Sequence, residues 1–434
     1  MSTSPAIDLR VPSLGEPRRP SPLGLSNEPG DLIADYTHQD ASLLLDPSPA
    51  GTGGPVFEQA GPRARVFFHG PDLHVAMVTC GGLCPGLNHI IRGLVMTLWR
   101  SYGVRKITGF RYGYRGVCAD SPTPPMALDP DTVRTIHHEG GTILGSSRGH
   151  RTPAAMADNL EAMGVDVLFC IGGDGTMRGA HALYKELTRR KLPIAVVGLP
   201  KTIDNDMPFT ERTFGFDTAV SLAAQAIRAA RVEADGAPNG LGLVRLMGRH
   251  AGFISASAVL ATGEADLVLV PEQPFDLEGP SGISRYLRDV IAERGAAVVV
   301  VAEGAGQEHL TSTQQTDASG NRRLGDIGTH LRDRLRATLA DMALNLKYID
   351  PSYMIRAAPP STADAIFCGR LSENAVHAAM TGKTGMVVGL WSNRFIHVPL
   401  AALTARTKNI DLDGSFWRSV VESTGQPALL ATAP

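Results

Sequence analysis

The sequence predicts an α/β fold with a mainly parallel sheet, and two observations support this prediction. From His74 onward, short apolar runs recur, ending in glycine and followed by segments of helical periodicity. Alternating strands and helices are typical of βαβ units, whose strands pair in parallel. The predicted strands cover residues 74–79, 165–171, 192–199, 240–246, 267–271 and 296–302.

Three of these strands lead into distinctive loops. Strand 74–79 leads through Cys-Gly-Gly-Leu-Cys-Pro-Gly-Leu-Asn to a helix predicted over 90–102. Strand 165–171 leads through Gly-Gly-Asp-Gly-Thr to a helix predicted over 177–190, and strand 192–199 leads into Pro-Lys-Thr-Ile-Asp-Asn-Asp. Ligands of parallel sheets bind beyond the carboxyl ends of the strands, so we expect functional residues in these loops.

Length, charge and cysteine content narrow the class of protein. A chain of 434 residues has material for one large or two medium domains. A formal net charge of -2 gives no broad positive field for nucleic acid or acidic lipid, and no apolar stretch is long enough for a membrane span. The five cysteines form no disulfide framework, and Cys80 and Cys84 lack the partners of a zinc site. We therefore expect a cytoplasmic protein.

Residues 1–70 are rich in proline, serine and glycine, and Pro12, Pro17, Pro20 and Pro22 lie close together. This composition predicts an N-terminal extension that is loosely docked or partly disordered. A regulatory or oligomer-contacting role for the extension stays open.

The loop at residues 172–176 has the composition of a phosphate site. Its glycines let backbone N–H groups turn toward phosphate oxygens, and the following helix offers its positive end. Asp174 is placed to bind Mg²⁺, which prefers oxygen ligands shared with phosphates. The alternative is a tight strand-to-helix turn that the aspartate caps without any ligand.

The loop at residues 200–206 carries two carboxylates two residues apart. If the backbone stays extended, Asp204 and Asp206 point the same way. One can then take a proton from a hydroxyl while the other orients a metal or a cation. By itself the pair fits an Asx turn equally well. Together with the upstream phosphate loop, it indicates phosphoryl transfer to an alcohol.

Polar residues after later strands fit a phosphate-bearing substrate. Arg249, in the segment Met-Gly-Arg, could hold a phosphate with its forked guanidinium, although a surface arginine is the simpler interpretation of that residue alone. Glu303 follows strand 296–302 and could accept hydrogen bonds from hydroxyl groups. Lys347, Tyr353 and Arg356 fit either a phosphate clamp or an ordinary strand and turn.

In this order, the motifs resemble those of the phosphofructokinases. The resemblance rests on the loop at 79–88, on Gly-Gly-Thr-Ile-Leu-Gly-Ser-Ser-Arg ending at Arg148, and on the later segments named above, including Tyr353–Arg356. It extends from about residue 74 to about residue 400. The form of the first loop is most similar to the plant- and trypanosome-type ATP-dependent branch.

The resemblance implies an architecture of two Rossmann-like αβα domains with the active site in the cleft between them. The nucleotide-binding domain would cover residues 71–217, with 357–405 returning to it. The sugar-phosphate-binding domain would cover 218–356, with 406–434 packing on it. The family also implies a symmetric homo-oligomer, a dimer or a tetramer.

The resemblance also implies a role for each matching residue. Asp204 would be the general base for the 1-hydroxyl of fructose 6-phosphate, Arg148 would stabilise charge on the moving phosphoryl group, and Asp206 would support the metal and the loop. Asp174 would bind Mg²⁺. ATP would contact Gly82, Arg148, Gly173, Asp174, Gly175 and Thr176. The sugar phosphate would contact Thr202, Ile203, Asp204, Met247, Gly248, Arg249, Glu303, Lys347, Tyr353 and Arg356.

Three positions depart from the bacterial ATP-dependent pattern. Tyr353 stands where those enzymes have histidine, and Lys347 stands where arginine is frequent, so a point charge replaces a bidentate fork. Gly240 lies near the position from which bacterial enzymes supply an arginine across a subunit interface. The details of substrate binding between subunits therefore do not carry over.

Two positions bear on the phosphoryl donor. Pyrophosphate-dependent members of the family typically carry an aspartate at the position of Gly175, where its bulk and charge would repel the α-phosphate of a nucleotide. Lys201 is shared with pyrophosphate-dependent enzymes, but the plant- and trypanosome-type ATP enzymes combine the same glycine and lysine. Because exclusion is harder to bypass than one added cation, Gly175 decides for ATP.

Other interpretations are a pyrophosphate-dependent phosphofructokinase and, in a different class, a catalytically silent subunit that binds sugar phosphate. A silent subunit would be expected to lose the base or the metal ligand, yet Asp174, Asp204 and Asp206 are all present. NAD kinases and lipid kinases share Gly-Gly-Asp-Gly-Thr but lack the downstream segments.

Overall fold

The structure is a computed structural model that describes residues 7–28, 30–46, 54–149, 151–311, 316 and 323–431. The parts of the predicted N-terminal extension at residues 1–6, 29 and 47–53 lie outside the described residues. The chain divides into two compact units. Unit 1 comprises Met1–Thr202, Met207–Gly215 and Ala357–Arg406, and unit 2 comprises Ile203–Asp206, Phe216–Arg356 and Thr407–Pro434.

The strands of the described residues, in chain order, are β1 (Arg19–Pro20), β2 (Ser42–Leu44), β3 (Val56–Gln59), β4 (Arg65–Val66), β5 (His74–Thr79), β6 (Lys106–Phe110), β7 (Met126–Ala127), β8 (Val167–Gly172), β9 (Ala195–Pro200), β10 (Gly240–Leu246), β11 (Leu267–Leu269), β12 (Ala296–Ala302), β13 (Asn345–Ile349), β14 (Met386–Trp391) and β15 (Arg394–Pro399).

The α-helices of the same residues are α1 (Leu87–Ser101), α2 (Tyr114–Val117), α3 (Pro153–Ala162), α4 (Asp174–Arg190), α5 (Phe216–Asp235), α6 (Phe253–Thr262), α7 (Ile283–Arg294), α8 (Ile327–Thr338), α9 (Ser352–Ala357), α10 (Thr362–Met380), α11 (Leu400–Leu403) and α12 (Ser415–Thr424). Short 3-10 helices lie at Gly70–Asp72, Ile136–His138, Gln307–His309 and Ala340–Met342. Within the described ranges, no helix is long and apolar enough to cross a membrane.

The main sheet of unit 1 has, among the described residues, the strand order β2-β3-β15-β14-β9-β8-β5-β6-β7. Its centre, from β14 to β6, is parallel, and the strands outside the centre pair antiparallel. Strands β5, β8 and β9 are buried along their whole length, as expected for apolar strands covered on both faces. Their carboxyl ends, Thr79, Gly172 and Pro200, bring the loops singled out in the sequence to the same end of one sheet.

The described part of the N-terminal segment is more firmly attached than its composition predicts. Strand β3 pairs with β15, and β2 pairs with β3, so both extend the main sheet. Phe57 of β3 is fully buried, and Glu58 forms ion pairs with Lys383 and Arg63. The prediction of a loosely docked extension is therefore wrong for this stretch. Strand β3 is short and has a single buried apolar residue, so its sequence gives too weak a signal to predict that it pairs at the edge of a sheet.

Unit 2 contains a fully parallel sheet, with the order β11-β12-β10-β13 among the described residues. Strand β12 consists only of alanine and valine and is entirely buried. On one face of the sheet, Leu241 and Leu243 pack into an apolar cluster with side chains of α7 and α8. The α/β class predicted from the sequence is confirmed in both units.

Candidate active site

In unit 1, the loop after β5 lies against the segment that ends at Arg148. The N–H of Gly81 donates to the carbonyl of Ser147 at 3.1 Å, and the hydroxyl of Ser146 donates to the carbonyl of Gly81 at 2.6 Å. Gly81 has a φ of 87°, a conformation that glycine adopts without strain. The predicted nucleotide residues Gly82 and Arg148 therefore follow two segments that are bonded to each other.

Lys201, the residue immediately after β9, contacts the loop that follows β5. Its Nζ donates to the carbonyl of Gly82 at 2.8 Å, its backbone N–H donates to the carbonyl of Gly172, and its side chain is buried. The ammonium group is thus engaged by the first loop of the sheet. This contact gives Lys201 a structural task that does not depend on the identity of the donor.

The loop at residues 172–176, predicted to bind phosphate, leads directly into helix α4. The helix begins at Asp174, three residues before the predicted start, with Gly173 as its N-cap. Gly172 is required by packing, because a Cβ there would lie 2.1 Å from Oγ1 of Thr176. The positive end of the helix dipole lies at this first turn, which includes Gly175.

The residues around Asp174 fit a magnesium ion shared with phosphate. Among the described residues, no group of three or more His, Cys, Asp or Glu side chains could hold a metal ion. Asp174 is half exposed and forms an ion pair of 2.6 Å with Arg178, one turn along α4. Mg²⁺ is commonly held by one or two carboxylates together with substrate phosphates. The space beside Gly175 is open, since an added Cβ would meet no heavy atom within 4 Å.

The loop at residues 200–206, called the carboxylate loop because it carries Asp204 and Asp206, differs from its prediction in one respect. Asn205 has a φ of 53°, in the left-handed region, so the backbone between Asp204 and Asp206 is not extended. Exposure nevertheless alternates: both aspartates are half-buried, and Ile203, Asn205 and Met207 are buried. The two carboxylates are accessible while their neighbours anchor the loop.

Both ends of this loop are tied down by hydrogen bonds. The hydroxyl of Thr213 donates to the carbonyl of Thr202 at 2.6 Å. In unit 2, the N–H of Lys408 donates to the carbonyl of Asp206 at 3.0 Å. The backbone N–H of Arg249 donates to Oδ2 of Asp204 at 3.4 Å, which brings the predicted base next to a predicted substrate residue.

The Met-Gly-Arg segment and Glu303 are neighbours in unit 2. They follow β10 and β12, which pair in register from Gly240 to Leu246. The N–H of Gly304 donates to the carbonyl of Gly248 at 3.0 Å, and a Cβ on Gly304 would lie 2.0 Å from the carbonyl oxygen of Arg249. Met247 is buried, and the segments that carry Arg249 and Glu303 are packed against each other.

Strand β13 and helix α9 carry the remaining predicted substrate residues. Lys347 is exposed on the edge strand of the sheet. Tyr353 is 84% exposed, whereas Ile355 is fully buried and fixes α9 to unit 2. Arg356 is half-buried on the same short helix.

Gly240 cannot carry the arginine that bacterial enzymes place nearby. A Cβ at this first residue of β10 would lie 1.9 Å from the backbone oxygen of Ala234. Close packing of α5 on β10 therefore leaves no room for a side chain at Gly240.

Two arginines in the site were not assigned from the sequence. Arg178 pairs with Asp174, and its i+4 spacing on α4 is the signal that could have revealed it. Arg245 forms ion pairs with Glu303 and Asp350, and its signal is a charged residue within the otherwise apolar strand Gly240–Leu246.

The cysteine at the start of the first loop is not a nucleophile. Cys80 is buried, and burial raises the pKa of its thiol far above the ordinary value. Burial likewise raises the pKa of Cys170 to about 12. Both thiols stay protonated at neutral pH, so covalent thiolate chemistry is excluded for them.

Comparisons with known proteins agree with the motif order. A family model described as Phosphofructokinase matches residues 74–379. The ATP-dependent 6-phosphofructokinase of Amycolatopsis methanolica is 46% identical, over 97% of this chain and 95% of that protein. ATP-dependent 6-phosphofructokinase 1 of Arabidopsis thaliana is 45% identical, over 92% and 84%, and the ATP-dependent 6-phosphofructokinase of Trypanosoma brucei brucei is 44% identical, over 90% and 81%.

A solved structure shares the fold at low sequence identity. The pyrophosphate-dependent phosphofructokinase from Marinobacter aquaeolei aligns with a TM-score of 0.67 and 21% identity, over 83% of this chain and 93% of that one.

Proposed function

The chain belongs to the phosphofructokinase family, and from this membership we propose that it is an ATP-dependent 6-phosphofructokinase. It transfers the terminal phosphoryl group of ATP to the 1-hydroxyl of fructose 6-phosphate and yields fructose 1,6-bisphosphate and ADP. The resemblance to the plant- and trypanosome-type branch is confirmed by the relatives from Arabidopsis and Trypanosoma. The structural observation that carries the proposal is the half-buried carboxylate of Asp204 in the loop after β9, which accepts a hydrogen bond from the N–H of Arg249.

Asp204 is proposed as the general base. A carboxylate that accepts the proton of the 1-hydroxyl raises the nucleophilicity of that oxygen as it attacks the phosphorus. The hydrogen bond from Arg249 restricts the orientation of the carboxylate, which supports this role because proton transfer depends on distance and direction. Asp206 supports the loop and the metal.

The nucleotide side of the reaction depends on positioning and charge neutralisation, as phosphoryl transfer does in general. We assign ATP binding to Gly82, Arg148, Gly173, Asp174, Gly175 and Thr176. Arg148 neutralises charge on the transferred group, and Asp174 is the protein ligand for Mg²⁺. When bound, Mg²⁺ supplies positive charge that screens the phosphate oxygens from the incoming hydroxyl.

The sugar phosphate is assigned to residues of the loop after β9 and of the carboxyl ends of β10, β12 and β13. Cationic side chains, Arg249, Lys347 and Arg356, bind the 6-phosphate, and Glu303 accepts hydrogen bonds from sugar hydroxyls. Thr202, Ile203, Asp204, Met247, Gly248 and Tyr353 complete this set. The packing of Gly304 against Arg249 supports the placement of Arg249 and Glu303 together.

The open space at Gly175 supports ATP as the donor, since a Cβ there would meet no heavy atom within 4 Å and glycine adds neither bulk nor charge at this position. We also propose a symmetric homo-oligomer, dimer or tetramer, on the basis of the family, and light scattering of the purified chain tests it. A cytoplasmic location is supported by five cysteines that are all free and buried.

The purified chain, assayed with fructose 6-phosphate and either ATP or pyrophosphate, with and without Mg²⁺, tests the proposal. We expect product with ATP and Mg²⁺ and a rate at least ~100-fold lower with pyrophosphate. A higher rate with pyrophosphate would contradict the choice of donor. No product with either donor would favour the silent regulatory subunit.

A further inference from the structure

Arg245 is the charged residue of strand β10, and the two strands beside β10 end in residues that it contacts. Strand β10 lies between β12 and β13 in the sheet of unit 2. Glu303 immediately follows β12, and Asp350 immediately follows β13. Because the register pairs Leu246 with Ala302 and Val244 with Ile349, Arg245 is flanked by both carboxylates.

The guanidinium group divides its two terminal nitrogens between these carboxylates. Nη2 lies 2.9 Å from Oε2 of Glu303, and Nη1 lies 2.7 Å from Oδ2 of Asp350. The side chains of Arg245, Glu303 and Asp350 are only 18%, 25% and 33% exposed, so water screens these pairs less than it screens a surface pair. A third carboxylate, Asp326, lies 4.0 Å from Nε.

The pairing also follows from strand alternation. Leu241, Leu243 and Arg245 lie on one face of β10, and the leucines pack in the apolar cluster of unit 2. Val301 lies on the same face, and Glu303 stands two residues after it, just as Asp350 stands two residues after Tyr348. At the C-terminal ends of the strands, this apolar face therefore gives way to charged side chains, and Arg245 lies between Glu303 and Asp350.

The two carboxylates that accept hydrogen bonds from Arg245, Glu303 and Asp350, lead directly to proposed substrate residues. Glu303 itself is assigned to sugar hydroxyls. Asp350 accepts hydrogen bonds from the backbone N–H and the hydroxyl of Ser352, at 3.0 and 2.5 Å, and so fixes the start of α9, which carries Tyr353 and Arg356.

We propose that Arg245 is a positioning residue for fructose 6-phosphate, which holds the Glu303 carboxylate and the start of α9 in fixed positions at the carboxyl edge of the sheet. Arg245 itself need not touch the substrate. This inference rests on the proposed function, because it concerns the sugar-phosphate residues of the same site.

The charge balance is consistent with this role. Burial by itself would raise the pKa of Asp350, but hydrogen bonds from Ser352 and the charge of Arg245 outweigh burial and lower it. For Arg245, burial would lower the pKa, and the charges of Glu303 and Asp350 outweigh it and raise the pKa. Asp350 and Arg245 are therefore charged at neutral pH, and loss of the arginine would leave Glu303 and Asp350 without the cation that they share.

The test compares Arg245→Met and Arg245→Lys with the wild-type chain. We expect Arg245→Met to raise KM for fructose 6-phosphate by ~10-fold or more, because the variant loses the guanidinium group that contacts both Glu303 and Asp350. KM for ATP should stay within ~2-fold of the wild-type value. Arg245→Lys should fall between, since a single ammonium cannot engage both carboxylates with a planar fork. Calorimetric binding of fructose 6-phosphate should weaken in parallel.

Arg231→Met is the matched control. Arg231 is equally buried, at 19% exposure, and pairs with Asp266 in unit 2, but Asp266 leads to no proposed substrate residue. This variant should lose thermal stability and keep KM for fructose 6-phosphate. If Arg245→Met fails to fold, Asp350→Asn replaces it, because that change weakens the pair and keeps an oxygen for Ser352.

Three outcomes contradict the inference. They are an unchanged KM for fructose 6-phosphate in Arg245→Met, equal rises of KM for both substrates, and an equal rise in the Arg231→Met control. An active wild-type chain with any of these results overturns the positioning role alone. A wild-type chain that neither binds nor phosphorylates fructose 6-phosphate overturns the proposed function, and the positioning role with it.

Discussion

Gly175 is the residue that we propose as the determinant of the phosphoryl donor. It occupies the first turn of α4, and no heavy atom lies within 4 Å of the position that a Cβ would take. An aspartate could therefore enter without distorting the fold, and its effect on ATP would report on charge and volume at the nucleotide site.

Gly175→Asp is expected to lower kcat/KM for ATP by ~10²-fold or more, because a carboxylate placed against phosphate oxygens costs several kcal/mol. Gly175→Ala is the size control and should change kcat/KM little. Steady-state kinetics with ATP as the varied substrate decides the matter, and unchanged ATP kinetics in Gly175→Asp would refute the role of this position.

For single residues, the sequence allowed us to predict which ones are functional, but not all of the side chains that they contact. The loops that carry Asp174 and Asp204 were identified because their motifs follow strands directly. Arg245 was not, because its role depends on Glu303 and Asp350, which are 58 and 105 residues away along the chain. The left-handed φ of Asn205 was also missed, since asparagine tolerates that conformation without marking it in the sequence.

Strand β10 shows how packing of an element restricts its chemistry. Its first residue, Gly240, lies under the backbone of α5, where a Cβ would approach the oxygen of Ala234 to 1.9 Å. Any side chain at this position must displace α5 or β10, so a cation cannot be restored here by substitution.

Gly240→Ala is therefore expected to lower the free energy of unfolding by ~1–3 kcal/mol, as overpacking of a buried contact does. Gly369→Ala, in the interior of α10, is the control: its Cβ would come no closer than 4.0 Å to another group, so the better helix propensity of alanine should stabilise the chain slightly. Thermal unfolding followed by circular dichroism measures both. Equal stability of Gly240→Ala and the wild type would contradict the packing argument.

Elements built from apolar runs were predictable, and the hairpin β14–β15 was not. Strands β5, β10 and β12 have the predicted bounds, because fully buried parallel strands appear as uninterrupted apolar runs. The turn between β14 and β15 is formed by Ser392 and Asn393, both with positive φ, and contains no glycine to mark it.

Across unit 1 as a whole, the N-terminal segment is part of the sheet. Phe57 of β3 is fully buried, and its ring centroid lies 5.9 Å from that of Phe209 and 5.7 Å from that of Trp391. Phe209 follows the carboxylate loop by three residues and has a φ of 56°. The segment thus supports the chain just beyond Asp206, although it lies outside the part matched by the family model.

Phe57→Ala is expected to destabilise unit 1 by ~3–5 kcal/mol, the usual result of removing a buried phenylalanine. Val56→Ala is the control, because Val56 is 45% exposed and its truncation leaves no buried cavity. Urea unfolding monitored by tryptophan fluorescence compares the two. A loss in Phe57→Ala no larger than in Val56→Ala would show that the N-terminal strand is peripheral.

We propose that Asp204 removes the proton from the 1-hydroxyl of fructose 6-phosphate, and Asp204→Asn tests this role most directly. Asparagine keeps an oxygen that can accept the hydrogen bond from the Arg249 N–H but cannot take up the proton. We predict that kcat falls by ~10²–10⁴-fold in steady-state assays with ATP and Mg²⁺, while the thermal midpoint and the affinity for ATP are retained. A kcat close to that of the wild type would contradict the account.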